Sequence, residues 1–142
     1  MDIIITIKII SALGIFNVWM LRYNKITEYR GGNAKSLKEE FETYGLKSWH
    51  MYIIGAIKII ISILFIASCF SEYVNMLDFA VFYGAAIMSL IMIGAILMHL
   101  KVNDPFKKSI PAIAMLAFYS IIFLNYILWL NKGLVVNEPH PT

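Results

Sequence analysis

The stretch Met51-Tyr-Ile-Ile-Gly-Ala-Ile-Lys-Ile-Ile-Ile-Ser-Ile-Leu-Phe-Ile-Ala-Ser-Cys-Phe70 decides the fold. It carries a single charge, Lys58, in a run that is otherwise apolar or small. A bilayer core about 30 Å thick is crossed by about 20 such residues in a helix rising about 1.5 Å per residue. Backbone amides and carbonyls find no water in lipid and must bond within their own segment, so a run of this kind is a helix that spans. Three more runs meet the same test: 3–21, interrupted by Lys8 and Asn17; 79–100, ending on His99; and 110–130, with Asn125 inside it. The sequence therefore predicts an all-α fold, a four-transmembrane-helix bundle forming one membrane domain over residues 1–142.

Composition agrees. Hydrophobic residues make up 60% and charged residues 15%, against about 45–50% and about 25% in soluble domains. The net charge of +3 is spread over residues that flank the apolar runs, which is a membrane pattern and gives no stripe for nucleic acid. Cys69 is the one cysteine. An internal disulfide, a redox pair and a multi-cysteine metal site are therefore all excluded.

The connections set the expected orientation. Segment 22–49 carries Arg22, Lys25, Arg30, Lys35, Lys38 and Lys47; segment 101–109 carries Lys101, Lys107 and Lys108. The link from Ser71 to Asp78 has Glu72 and Asp78 but no Lys or Arg, and the tail has only Lys132. The positive-inside rule then places loops 22–49 and 101–109 in the cytoplasm and both termini outside, in a multi-pass protein of the cell (inner) membrane. Asp2 and the basic cluster that follows the first run argue against a cleaved signal peptide. Trp19, Trp49 and Tyr52 are expected at the inner interface, and Tyr73, Tyr83, Tyr126 and Trp129 at the outer one.

The first loop holds structure of its own. Gly31-Gly32-Asn33 marks a break. Ser36 and Glu39 have capping-box spacing, predicting a short helix over 37–44 that stops at Gly45. Leu37, Phe41 and Tyr44 share one face, with Lys38, Glu39 and Glu40 turned elsewhere. This reads as an interfacial helix, either a lid on the bundle or a solvated connector with one face tucked down. Ser109 is a candidate cap for the fourth span, and Pro111 suits its first turn. The tail 137–142, with Pro139 and Pro141, is expected to be disordered.

Polar groups within a membrane are costly and are candidate site residues by default. Lys58 lies roughly 12 Å inside its span, on a face shared with Gly55 and Ser62. It is either a buried cation for an anionic or carbonyl-bearing ligand or a snorkelling lysine. Depth arithmetic puts Asn17, Lys58 and Tyr119 in the inner half, and Arg22, His99 and Asp104 nearer the inner mouth. Convergent faces would give a ligand-binding pocket open to the cytoplasm; an Arg22–Asp104 interfacial ion pair is the plainer alternative. His99 and His50 begin at similar depth, but no haem motif accompanies them and no metal site is expected. Lys8 is expected to snorkel and Asn125 to bond between helices. Met88, Met92 and Met98 read as core filler. Phosphate-binding loops, nucleophile elbows and paired intramembrane carboxylates are missing, so no catalytic residue is nominated and the reading leans against an enzyme.

Two stretches carry a family resemblance. Gly45-Leu-Lys-Ser-Trp-His-Met-Tyr-Ile-Ile-Gly-Ala-Ile-Lys58 resembles the start of the second span in the DoxX-like family. Gly94-Ala-Ile-Leu-Met-His-Leu-Lys-Val-Asn-Asp104-Pro, followed by Ile110-Pro111-Ala, resembles the family's exit from the third. The likeness runs roughly from Ser11 to Tyr126; Lys47 stands where the family often has proline. The resemblance implies a four-helix membrane protein without agreed catalytic residues. Some relatives are similar to a subunit of thiosulfate:quinone oxidoreductase, and others look like accessory or quality-control proteins. By position, Gly55, Lys58, His99, Asp104 and Pro111 match the pattern, with Gly55 and Pro111 in packing and helix entry.

Two functions remain open at this point. One is a non-catalytic bundle that binds a partner subunit, a second copy of itself or a small lipophilic ligand in a polar pocket. The other is a quinone-interacting membrane subunit of an oxidoreductase, with Lys58 and His99 on the quinone carbonyls and electrons from a redox partner. No cofactor is evident besides that quinone. A transporter has little support without broken helices or inverted repeats.

Overall fold

The computed structural model describes residues 3–70 and 74–136. Helix α1 (Ile3–Phe16) runs on into a π-helical turn, Asn17–Leu21. A loop containing the short helix α2 (Leu37–Thr43) leads to α3 (Ser48–Ser68), then α4 (Val74–Lys101), a 3-10 turn (Phe106–Ser109) and α5 (Ile110–Val136). Four of these helical stretches are long and apolar enough to cross a bilayer: Ile3–Leu21, Ser48–Ser68, Leu77–Lys101 and Phe106–Lys132. The protein is a four-helix membrane bundle. Helix α3 starts before the apolar run 51–70 and stops short of its end, whereas α4 and α5 run past 79–100 and 110–130, because helices continue through polar residues that hydropathy alone cuts off. The segment 137–142 and Tyr73 lie outside the described residues.

In space the helices form a ring in the order α1, α3, α4, α5, with α5 closing back on α1. Phe65, Met88, Tyr119 and Ile122 fill the centre and are almost fully enclosed. Met92 is also buried. The outward faces keep large apolar side chains such as Ile60, Leu90 and Leu124, as a lipid-facing surface does. Close packing, not hydrophobic sequestration, joins such helices.

Several side chains sit elsewhere than the sequence suggests. Lys8 does not reach outward; its ammonium donates to Ser68 Oγ at 3.1 Å, tying α1 to α3. Asn125 is exposed on α5 and has no hydrogen bond among the described residues, because Ile122 and Tyr126 take the buried face. Trp49, Tyr52, Tyr83 and Trp129 are exposed as belt residues should be, but Tyr126 is buried beside Phe82 and Trp129. Trp19 also turns inward, onto α3. Ser109 is buried at the end of the 3-10 turn that runs straight into α5. That turn, not a separate serine cap, supplies the helix start.

Helix α2 lies across one end of the bundle. Ser36 Oγ accepts the Glu39 amide at 3.2 Å, while the Glu39 carboxylate reaches the Lys35 amide at 2.8 Å, not that of Ser36. The cap is therefore one residue wider than a capping box. At the other end Gly45 adopts φ +79°, with Leu46 N donating to Phe41 O and Gly45 N to Glu42 O, the two bonds of a Schellman stop. Leu37, Phe41 and Met51 form a small core of their own beneath the helix.

Candidate functional site

The end of the bundle that carries both basic loops is hollow. A cavity of about 410 Å³ lies between α1, α4, α5 and the first loop, and a smaller one of about 230 Å³ lies under α2. They share Val18, Trp19, Glu40, Lys58, Ala95 and His99 as walls. Asn17 and Arg22 line the larger cavity. Asn17 and Lys58, expected in the inner half, and Arg22 and His99, expected nearer the mouth, thus line one cavity.

Lys58 is the central group. Its ammonium lies 5.3 Å from the centre of the Trp19 ring, a cation–π contact. It has no hydrogen bond or ion pair among the described residues. It does not snorkel clear of the protein, since it faces both cavities. Trp19 reaches this position because Gly55 lacks a side chain: a Cβ there would overlap the indole. The π-helical turn helps to aim it. Arg22 N bonds back to Asn17 O at 2.9 Å, five residues earlier, so that turn holds one residue more than an α-helical turn. Such turns are frequent at functional sites.

Behind His99 lies a polar network that the sequence did not reveal. Asn103 has φ 54°, and Asp104 N donates to His99 O at 3.0 Å, so α4 ends in a Schellman turn that folds Asp104 back toward the helix. Asp104 Oδ2 then meets His99 Nδ1 at 2.8 Å. The same carboxylate accepts the Gly32 amide at 3.0 and 3.2 Å and the Lys108 ammonium at 3.1 Å. Lys108 also donates to Gly32 O. Burial pushes the Asp104 carboxyl up, but the bonds from His99, Lys108 and Gly32 outweigh it and hold the group below the usual carboxylate range.

Tyr44 adjoins this cluster, with its ring edge-on to His99 and its hydroxyl 3.3 Å from Nδ1 and 3.5 Å from Nε2. The hydroxyl donates to Glu40 Oε1 at 3.1 Å. Burial, then the Glu40 carboxylate, pushes the Tyr44 hydroxyl well above its ordinary value, so it stays protonated. Glu40 also accepts the Gly31 amide at 2.7 Å and pairs with Arg30 Nη1 at 2.9 Å. Arg30 spends Nη2 on the carbonyls of Arg22 and Tyr23, leaving its buried Nε without a partner among the described residues. Gly31 has the Tyr44 ring where a Cβ would stand. The loop is thus laid over the bundle by Arg30, Glu40, Tyr44 and Asp104.

Two candidates part from the cavity. Tyr119 lines neither hollow; it is fully buried in the core against Phe65, with a hydroxyl that has no partner among the described residues. Its depth suits the site, but its face of α5 points to the bundle axis. Asp104 stands behind His99 instead of at the mouth. It forms no pair with Arg22, which is exposed, because His99, Lys108 and Gly32 already occupy its oxygens. His50 is half-buried, stacked on Trp49 and bonded to the Lys47 amide at 3.2 Å, so it serves the start of α3. Pro111 lines the larger cavity in the first turn of α5. Among the described residues, no three His, Cys, Asp or Glu side chains cluster as a metal site would need.

The missed residues had one readable signal. Glu40 falls on the same face as Leu37, Phe41 and Tyr44, at the i, i+3, i+4, i+7 spacing of a single buried stripe.

A family model described as the DoxX-like family matches residues 9–122. The chain belongs to the DoxX-like family. The match takes in both cavities and every residue of the network behind His99. For this DoxX-like protein, no curated protein and no solved structure gives a match. Within the matched residues, His99, Asp104 and Lys108 fasten the first loop to the bundle through Gly32.

Proposed function

We propose that this DoxX-like membrane protein is a non-catalytic binding bundle that holds one small lipophilic molecule, polar end inward, in the cavity beside Lys58. The observation that carries the reading is the Lys58 ammonium, which has no hydrogen bond or ion pair among the described residues and faces a hollow of about 410 Å³. Ligand pockets run from about 300 to 1,000 Å³ and combine apolar walls with a few placed polar groups. The walls here include Ile15, Val18, Met92, Ala112 and Met115. An intramembrane cation without a partner is costly, and a resident polar group offsets that cost.

His99 is the second polar wall. Its Nδ1 lies 2.8 Å from the Asp104 carboxylate and its ring is edge-on to Tyr44, so the side chain is held in place at the cavity wall. By the positive-inside rule the loops carrying Arg30 and Lys108 face the cytoplasm, so the cavity lies at the cytoplasmic end of the bundle.

The test is native mass spectrometry of the protein released gently from its own membrane. A co-purifying small molecule, present with wild type and lost from Lys58→Met, is the expected result. A bare chain in both cases rejects the reading and leaves a structural bundle. A co-purifying quinone, or a redox subunit lost with it, would instead favour a quinone-facing role.

A further inference from the structure

The charges around the larger cavity do not balance. Glu40 is the acidic residue in its lining, and both Glu40 oxygens are taken by Arg30, Gly31 and Tyr44. Lys108, also in the lining, is paired with Asp104. Lys58 and Arg22 remain, cations in the lining without a side-chain partner among the described residues. Arg30 adds a third feature, since it is 5% exposed, lines the same cavity and has a buried Nε with no partner among the described residues. A neutral carbonyl would accept a hydrogen bond from these groups but leave their charge standing. An anion answers both the charge and the open donors.

The shape of the opening says where the rest of such a molecule goes. On the α1 side, Asn17, Val18 and Arg22 are exposed; on the α5 side, Pro111 and Ala114 are exposed. The opposite wall, Lys58, Met92, Ala95 and His99, is half-buried or buried. The mouth therefore lies between α1 and α5, on the lipid-facing surface of the bundle. Small or pliant side chains line that seam: Gly14, Ala112, Ala114 and Met115. A Cβ added at Gly14 would lie 3.6 Å from the end of Met115, so the two helices meet there through a glycine and a flexible thioether. The volume is near the lower end of the usual range for drug-sized ligands, which suits a head group and the first part of one chain.

We infer that the occupant is a single-chain amphiphile with an anionic head, a carboxylate or a phosphate. The head sits among Lys58, Arg22 and Arg30, and the chain leaves for the bilayer between α1 and α5. This rests on the cavity being a binding site and adds the class of molecule it takes.

Equilibrium binding of tritiated probes to the purified full chain in neutral detergent tests it. The probes are palmitate, 1-palmitoyl lysophosphatidate, hexadecanol and decylubiquinone. At least one anion is expected to bind ten-fold or more tighter than hexadecanol and decylubiquinone. The preference should fall several-fold in Lys58→Met and also in Arg22→Gln, whose exposed parent side chain makes it a safe second variant. The order of palmitate and lysophosphatidate tells a free fatty acid from a lipid phosphate. Saturable binding of hexadecanol or decylubiquinone as tight as the anions would overturn the anionic head while leaving a lipophile-binding bundle. An anion preference that survives both substitutions would also overturn it. If no probe binds saturably, the binding reading and this inference fall together.

Discussion

His99 Nδ1 and Asp104 Oδ2 stand 2.8 Å apart across the turn that ends α4, and this pair joins the two basic loops of the protein. The carboxylate faces His99 on one side and the Gly32 amide and Lys108 on the other. One side chain thus holds the third span, the first loop and the start of the fourth span in register. His99, which lines both cavities, is held in place by this bond.

That arrangement makes the loop acid-sensitive. The Asp104 carboxyl is held below its ordinary value of about 3.9, by His99, Lys108 and Gly32 against the opposing effect of burial. A depressed carboxyl contributes stability above its unfolded value and loses it as the pH falls through the lower folded value. Asp104→Asn should cost about 1–3 kcal/mol near neutrality, the usual penalty for leaving buried donors unpaired. The gap between variant and wild type should narrow as the pH falls below about 4, the unfolded value. Hydrogen exchange at the Gly32 amide reads this directly; a gap unchanged from pH 7 to 3 would contradict it.

Gly55 and Trp19 make a second test. Since any Cβ at Gly55 overlaps the indole, Gly55→Ala must displace Trp19 or part α1 from α3. Overpacking of this kind costs about 1–3 kcal/mol. Thermal unfolding in detergent should show the loss, and adding Trp19→Ala should recover much of it. Full stability in the single variant would mean that the helices separate freely, against the close fit of the indole on Gly55.

Arg30 and Glu40 are a buried ion pair, with side chains 5% and 12% exposed. Removing one partner of such a pair costs roughly 3–5 kcal/mol, because the other charge is left without its counterion. Arg30→Met and Glu40→Leu should each destabilise the loop by an amount of that order. The double variant should cost clearly less than the sum, as contacting residues do in a double-mutant cycle. Strict additivity would show that the pair is not coupled.

The spans were legible because lipid imposes a length and forbids unsatisfied backbone. Lys58 interrupts its run without ending it, and the helix continues through it. The short helix was legible from Ser36, Gly45 and the spacing of Leu37, Phe41 and Tyr44. The site was legible only in depth. Rise per residue places Asn17 and Lys58 in the inner half and Arg22 and His99 nearer the mouth, but it says nothing of azimuth, and so it also drew in Tyr119, which faces the core. Asp104 was expected either in the pocket or paired with Arg22, because both flank the same mouth; the left-handed turn at Asn103, which swings it to His99, leaves no mark in hydropathy. Arg30 and Glu40 looked like solvated loop charges because their burial depends on the loop folding over α2, a long-range arrangement. The wide turn at Asn17 was invisible for a similar reason, since its hydrogen bonding depends on how α1 meets its neighbours.

That wide turn has a consequence for how the chain tolerates change. Between Asn17 and Leu21 the helix ends on a turn that holds one residue more than an α-helical turn. Side-chain exchanges at the exposed Val18, Met20 or Leu21 leave that turn intact. Removing any one of the five residues leaves it one short: either it closes as an α-helical turn and loses the width that aims Trp19, or it draws Arg22 back one position, about 100° around the helix, and off the cavity rim. In this segment the protein is constrained in length far more than in spelling.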